Sequence, residues 1–316
     1  MKKKLLLLIL ITSYQLVNAQ YTEIINSKSP GFSESPYGVG TDVIQVEGGV
    51  FFGKGNSPKT FTKTNPLGAT VFLRYGKFLE KLEFNAKITY QKNKIEFNDI
   101  SSSSTNINGI SELTIGAKYL IFQQKFADKS KEIRSWEKRI SFDKKRLIPS
   151  IGVYVGVNTN FLGKDYKEEK LSPKAAILLQ NDFSDRLVLV TNLVGDKIGT
   201  DNRFYSYIVT LTYAVKESWS IFVENEGDFY KYKNDFQIGT GVAYLFTKDL
   251  QFDASIRINT NSNESAFISG VGASWRFDRH EDKMIETDEE GNKVKKRKKK
   301  RKKKGFFSRL FKKKRP

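Results

Sequence analysis

Residues 264–277, ESAFISGVGASWRF, alternate along their length. Phe267, Val271, Ala273, Trp275 and Phe277 fall on one face, with Ser269 the exception. Ala266, Ile268, Gly270, Gly272, Ser274 and Arg276 fall on the other. Period two over this length predicts a strand with two chemically different faces. The same pattern recurs upstream. Leu250, Phe252, Ala254, Ile256 and Ile258 oppose Gln251, Asp253, Ser255, Arg257 and Asn259. Leu82, Phe84, Ala86, Ile88 and Tyr90 oppose Lys81, Glu83, Asn85, Lys87, Thr89 and Gln91. Twelve such segments are read at 42–54, 66–77, 81–97, 107–122, 148–160, 174–184, 186–195, 203–216, 218–228, 235–247, 250–261 and 264–277. The seventh, RLVLVTNLVG, is apolar on both faces. Strands apolar on one side and polar on the other, ending on an aromatic residue, define the expected fold. It is an all-β, transmembrane antiparallel up-and-down β-barrel of about twelve strands.

An even strand count puts both termini at one end of a barrel, expected to be the periplasmic end. The connections around 185, 217–218 and 249 are short, as periplasmic turns are. Those at 98–106 and 161–173 are longer and rich in Ser, Asn and Lys, which suits the outer face. Residues 123–147 break this rule: the connection is long and charged. Phe126, Ile133, Trp136 and Ile140 recur near helical spacing behind Asp128 as a possible N-cap. They fit a surface-lying amphipathic helix or a hydrophilic loop equally. Residues 20–41, with Pro30-Gly31 and Pro36-Tyr37-Gly38, read as irregular chain that hangs in the periplasm or folds into the lumen as a partial plug.

Composition sets the compartment. Lys2, Lys3 and Lys4 precede an apolar run at 5–11 that is too short to span a bilayer. Val17-Asn18-Ala19 completes a secretory signal, 1–19, and the mature chain is expected to begin at Gln20. There is no cysteine, so disulfides and thiol chemistry are excluded. The 24 Phe and 14 Tyr supply aromatic girdles. The formal charge of +19 is not spread evenly: from Lys283 onward, 17 Lys or Arg face four acids. The expected organisation is a barrel at 42–277 and a charged tail at 278–316. Its expected place is the outer membrane of a Gram-negative bacterium. Its expected partners are outer-membrane lipid and, during insertion, the barrel-assembly machinery.

The stretch 25–49, INSKSPGFSESPYGVGTDVIQVEGG, resembles the opening motif of a barrel family common in Bacteroidota. That family is usually labelled "transporter" and grouped with meta-pathway phenol-degradation outer-membrane proteins. Pro30-Gly31-Phe32-Ser33, Ser35-Pro36-Tyr37 and Val43-Ile44-Gln45 carry the likeness. The family more often has Arg where Ser29 stands. The resemblance implies a channel or transport role; a fold by itself fixes no function.

The residues offer little for catalysis. His280, the one histidine, lies beyond the last expected strand, so no Ser/His/Asp arrangement can form within the barrel. No Cys/His cluster, phosphate loop or dinucleotide fingerprint is present. No enzyme, cofactor or metal is expected. By the alternation, Glu47, Arg74, Glu83, Lys87, Glu112, Lys118, Asp182, Glu224, Glu226, Asp253, Arg257 and Arg276 project inward. Charges facing hydrocarbon are costly, so these must line water or pair with one another. They fit a passive or gated small-solute channel with a charge-lined lumen, or a salt-bridged, non-conducting scaffold barrel.

The tail carries ten consecutive cations: Lys295, Lys296, Arg297, Lys298, Lys299, Lys300, Arg301, Lys302, Lys303 and Lys304. Phe306, Phe307 and Phe311 follow. Basic charge beside inserted rings suits an anionic membrane leaflet. An acidic cell-wall polymer, a partner complex or plain solvation are the alternatives, and secretion argues against nucleic acid.

Overall fold

The structure, a computed structural model, describes residues 25–29, 31–58, 60–98, 102–124, 143–260 and 265–279. All lie in the first of the chain's two units, residues 1–280. The expected signal segment, the helix at 126–140, His280 and the basic tail fall outside the described residues.

Twelve antiparallel strands close into one barrel: β1 (Val43–Ser57), β2 (Thr62–Gly76), β3 (Leu82–Asn98), β4 (Ser102–Phe122), β5 (Ser150–Asn158), β6 (Ser172–Asp182), β7 (Leu187–Asp196), β8 (Phe204–Lys216), β9 (Trp219–Tyr230), β10 (Asn234–Thr247), β11 (Leu250–Asn259) and β12 (Ser265–Asp278). Each strand pairs with its neighbours in sequence, and β1 pairs with β12 from Val43↔Asp278 to Asn56↔Ser265. Closure leaves the wall itself without an open edge, while the β3–β4 hairpin runs on past β5, which pairs with β4 only from Thr114 onward.

Burial is inverted relative to a soluble protein. Outward residues such as Val271, Trp275, Ile256 and Tyr90 are exposed, while Gln45, Glu83, Lys118 and Ser274 are fully buried. The apolar face is the one a bilayer covers. Tyr75, Tyr119, Tyr213, Trp219, Trp275 and Phe277 form an exposed aromatic belt near the end where the short turns lie.

Two expectations change. The 98–106 loop is in fact hairpin: β3 and β4 pair out to Asn98↔Ser102. Ser102–Asn106 carry no apolar alternation because both faces of this extension are polar, yet their backbones still complete the ladder. Connection length therefore does not divide the two ends cleanly, since the β9–β10 connection is also short. The second concerns β7. Its inward face is apolar because Val194 packs on a small lumenal cluster of Tyr154, Ala176 and Leu178. Asn192 interrupts that face, buried and polar.

Candidate functional site: a segment docked across the lumen

Residues 25–39 contain Ser27, Ser29, Ser33, Ser35, Pro36, Gly31 and Gly38, and no apolar period. They form no strand, so their backbone groups need partners from elsewhere. Both ends of the segment sit at the turn end of the barrel. Ile25 N donates to Lys248 O in the β10–β11 turn at 2.9 Å, and Asp42 N donates to Gly76 O at the end of β2 at 2.9 Å.

Between these points the wall supplies side-chain partners for the backbone. Lys28 N and Ser29 N both donate to Glu47 Oε2 at 3.0 Å. Phe32 N and Ser33 N donate to Glu224 Oε2 at 2.9 and 3.3 Å. Val39 N donates to Glu83 Oε2 at 3.0 Å. The approach at Glu224 favours glycine: a Cβ on Gly31 would stand 3.0 Å from Glu224 Oε2, and the carboxylate would have to give by a few tenths of an ångström. At Glu34 the Asn192 amide pairs with the main chain on both sides. Glu34 N donates to Oδ1 at 2.6 Å, and Nδ2 donates to Glu34 O at 2.8 Å.

The carboxylates that hold the segment are held in turn by wall cations. Arg74 Nε and Nη2 donate to Glu83 at 2.9 Å each, and Nη1 reaches Glu47 Oε1 at 3.2 Å and Asn26 O at 2.6 Å. Arg257 Nη2 donates to Glu224 Oε1 at 2.7 Å, with its guanidinium stacked on the Phe32 ring. Lys118 Nζ lies 3.0 Å from Glu34 Oε1 and 3.3 Å from Glu83 Oε1, and donates to Ser35 O at 3.1 Å. Such charges are tolerable when buried because each has several partners.

Further contacts spread the docking around the wall. Tyr37 OH meets Ser150 Oγ at 2.7 Å, Ser35 Oγ donates to Gln180 Oε1 at 2.7 Å, and Ser27 Oγ meets Ser274 Oγ at 3.0 Å. Gln251 Nε2 reaches Ser29 O at 3.1 Å. Glu34 belongs to the segment and not to a strand. Burial alone would push its carboxyl up, but Lys118, with Lys28 and Arg74, outweighs burial and holds it at about 2.

Six of the sequence-derived charges thus converge on the segment: Glu47, Arg74, Glu83, Lys118, Glu224 and Arg257. Lys87 and Glu112 pair with each other at 2.7 Å. Asp182 accepts from Gln180 Nε2 at 2.7 Å. Arg276 sits at the rim, where Nε donates to Asp249 of the β10–β11 turn at 2.9 Å. Glu226 and Asp253 make no ion pair with a described residue. Sequence reasoning missed Glu34, Asn192 and the Lys174–Asp196 pair at 2.6 Å. The inward register of β7 was the one available signal for Asn192.

A closed barrel with a polar, charge-paired interior and an apolar outer belt is a transmembrane β-barrel of the outer-membrane type. The chain belongs to the family described as "Putative MetA-pathway of phenol degradation", whose model matches residues 27–277. In fold it is similar to the COG4313 outer membrane channel from Pseudomonas putida F1. Identity there is 9%, the match covers 80% of this chain and 100% of that one, and the TM-score is 0.56. Weaker likenesses are to the CymD monoaromatic hydrocarbon channel (9% identity, 76% and 90% coverage, TM-score 0.43). The KdgM porin in complex with disordered oligogalacturonate is comparable (9%, 73% and 99%, 0.44). No curated relative matches the sequence.

Proposed function

We propose that the protein is an outer-membrane channel for small solutes, held shut at its turn end by its own residues 25–39. The observation that carries this reading is the docking of five successive-segment amides on three buried wall carboxylates: Lys28 and Ser29 on Glu47, Phe32 and Ser33 on Glu224, Val39 on Glu83. Every one of these contacts is a hydrogen bond between the segment's backbone and a wall side chain. None is part of a β-ladder. The segment can therefore leave without unpairing a strand, and the barrel wall survives its departure.

In this reading both termini and the short turns face the periplasm, so the segment gates the periplasmic mouth. No catalytic role is assigned to any side chain. The inward charges act by pairing with the segment when closed and by setting ion preference when open. The organisation follows the same boundaries: a signal at 1–19, a gating segment within 20–41, the barrel at 42–277 and the tail at 278–316.

Planar-bilayer recording tests this reading. A variant lacking residues 25–39 should fold and conduct steadily, and the full chain should conduct less or only in bursts. A folded deletion variant with no conductance would replace the channel with a structural barrel.

A further inference from the structure

Glu34 is the one acidic residue among residues 25–39, and Lys28 the one basic residue. Its carboxylate lies between two ammonium groups: Lys118 Nζ of β4 at 3.0 Å and Lys28 Nζ at 3.5 Å. The Lys118 side chain has no exposed surface, whereas that of Lys28 is 25% exposed to the lumen. Elsewhere the wall holds the segment by its backbone and by uncharged side chains. Only here does a side-chain charge of the segment bind a wall cation.

The surroundings are rich in cations that water can reach. Lys87 of β3 and Lys174 of β6 have side chains 31% and 23% exposed, paired with Glu112 and Asp196. Thr114 and Asn158 lie between those two acids: Thr114 Oγ1 donates to Asn158 Oδ1 at 2.6 Å and stands 3.4 Å from Glu112 Oε1, and Asn158 Nδ2 donates to Asp196. Lys28 has the longer ion pair. Burial, and the neighbouring ammonium groups of Lys87 and Lys174, push its own ammonium down from the usual lysine value, against the pull of Glu34. An added anion would relieve that repulsion.

We propose that Glu34 occupies a carboxylate-binding site of the lumen wall centred on Lys118, and that a small organic dicarboxylate entering from the loop end takes that site and releases the segment. The idea rests on the gated-channel reading above and names a solute class for it. One carboxylate of the solute takes the place of Glu34. The other faces Lys87 or Lys174, the partly exposed cations of the wall. A ligand shifts such an equilibrium only by binding the open state better, and Lys118, which stays on the wall, is free of Glu34 only once the segment has left. Breaking the Glu34 contact removes the segment's one ion pair with the wall and leaves neutral backbone donors on Asn192, Glu47, Glu83 and Glu224 to be undone.

Single-channel recording of the full chain tests the proposal, with sodium succinate at the loop side compared with sodium chloride at equal ionic strength. Succinate should raise the open probability about fivefold or more, the lower range of ordinary coupling between two sites. Glu34→Gln should open without succinate and lose the response, and Lys174→Gln should weaken it. An equal succinate response in Glu34→Gln would mark a general salt effect and overturn the proposal. So would no response in the full chain while the variant lacking 25–39 conducts, which leaves the channel reading intact. Failure of that deletion variant to conduct would remove both.

Discussion

Arg74 of β2 and Glu83 of β3 face each other through a two-pronged bond, Nε to Oε1 and Nη2 to Oε2, at 2.9 Å each. Both side chains are buried to 2% exposure or less. Glu83 then accepts from Val39 N, and Arg74 donates to Asn26 O, so this one pair grips the docked segment at two points.

Breaking that pair from one side should be costly. Arg74→Met leaves Glu83 and Glu47 buried without their guanidinium, an error worth roughly 3–5 kcal/mol. Arg74→Lys should recover only part of it, because a single ammonium cannot reproduce the fork. Urea unfolding in liposomes reads the loss. Wild-type stability in Arg74→Met would contradict the paired-lumen account.

The outer face makes an independent prediction. Ile256 is 46% exposed on the outer face of β11, next to buried Arg257. Ile256→Arg should cost about 2–4 kcal/mol if the site lies near the bilayer midplane. A polar neutral residue at the same position should cost less. Equal folding yields for both would argue that this face does not meet lipid.

Acid should loosen the segment late. The Glu34 carboxyl is held at about 2 against an ordinary 4.5, so docking favours its ionised form. The contribution is fully present above about 4.5 and is lost as the pH falls through about 2. Open probability should therefore be flat from neutral to about pH 5 and rise below it. Glu34→Gln removes this part of the rise. A steep opening between pH 7 and 5 that survives Glu34→Gln would assign the control to other groups.

For the basic tail we propose attachment to an anionic leaflet. A peptide of residues 293–316 should co-sediment with anionic vesicles, gaining on the order of 1 kcal/mol per basic residue near the surface. Binding should fall with salt, since exposed charges are screened within about 8 Å at physiological ionic strength. Replacing Phe306, Phe307 and Phe311 with Ala should weaken it further. Equal binding to neutral and anionic vesicles, or to neither, would favour the cell wall or plain solvation.

Much of the wall was legible in the sequence because period two has one cause here: lipid outside, water or paired charge inside. Expected 250–261 became Leu250–Asn259, and expected 264–277 became Ser265–Asp278. The pattern failed where both faces are polar, at Ser102–Asn106, and blurred where the lumen itself is apolar, at Val190 and Val194. The docked segment was not legible as such. Its grip comes from backbone amides on Glu47, Glu83 and Glu224, and backbone amides leave no mark on residue choice beyond Gly31. The inward charges could be listed from alternation, but not that Glu47, Arg74 and Glu83 meet at one point while Arg276 turns to the rim. That depends on depth along the strands, which a two-residue period does not encode.

Ser27 Oγ and Ser274 Oγ lie 3.0 Å apart, one on the segment and one on β12, in a chain that has no cysteine. A Ser27→Cys, Ser274→Cys variant can therefore lock the segment to the wall with a single disulfide. Conductance of that variant, recorded in one bilayer before and after adding a reductant, tests the gate most directly. The account predicts a silent channel when oxidised and one that opens when reduced. Equal conductance in the two states, with the disulfide verified, would contradict it.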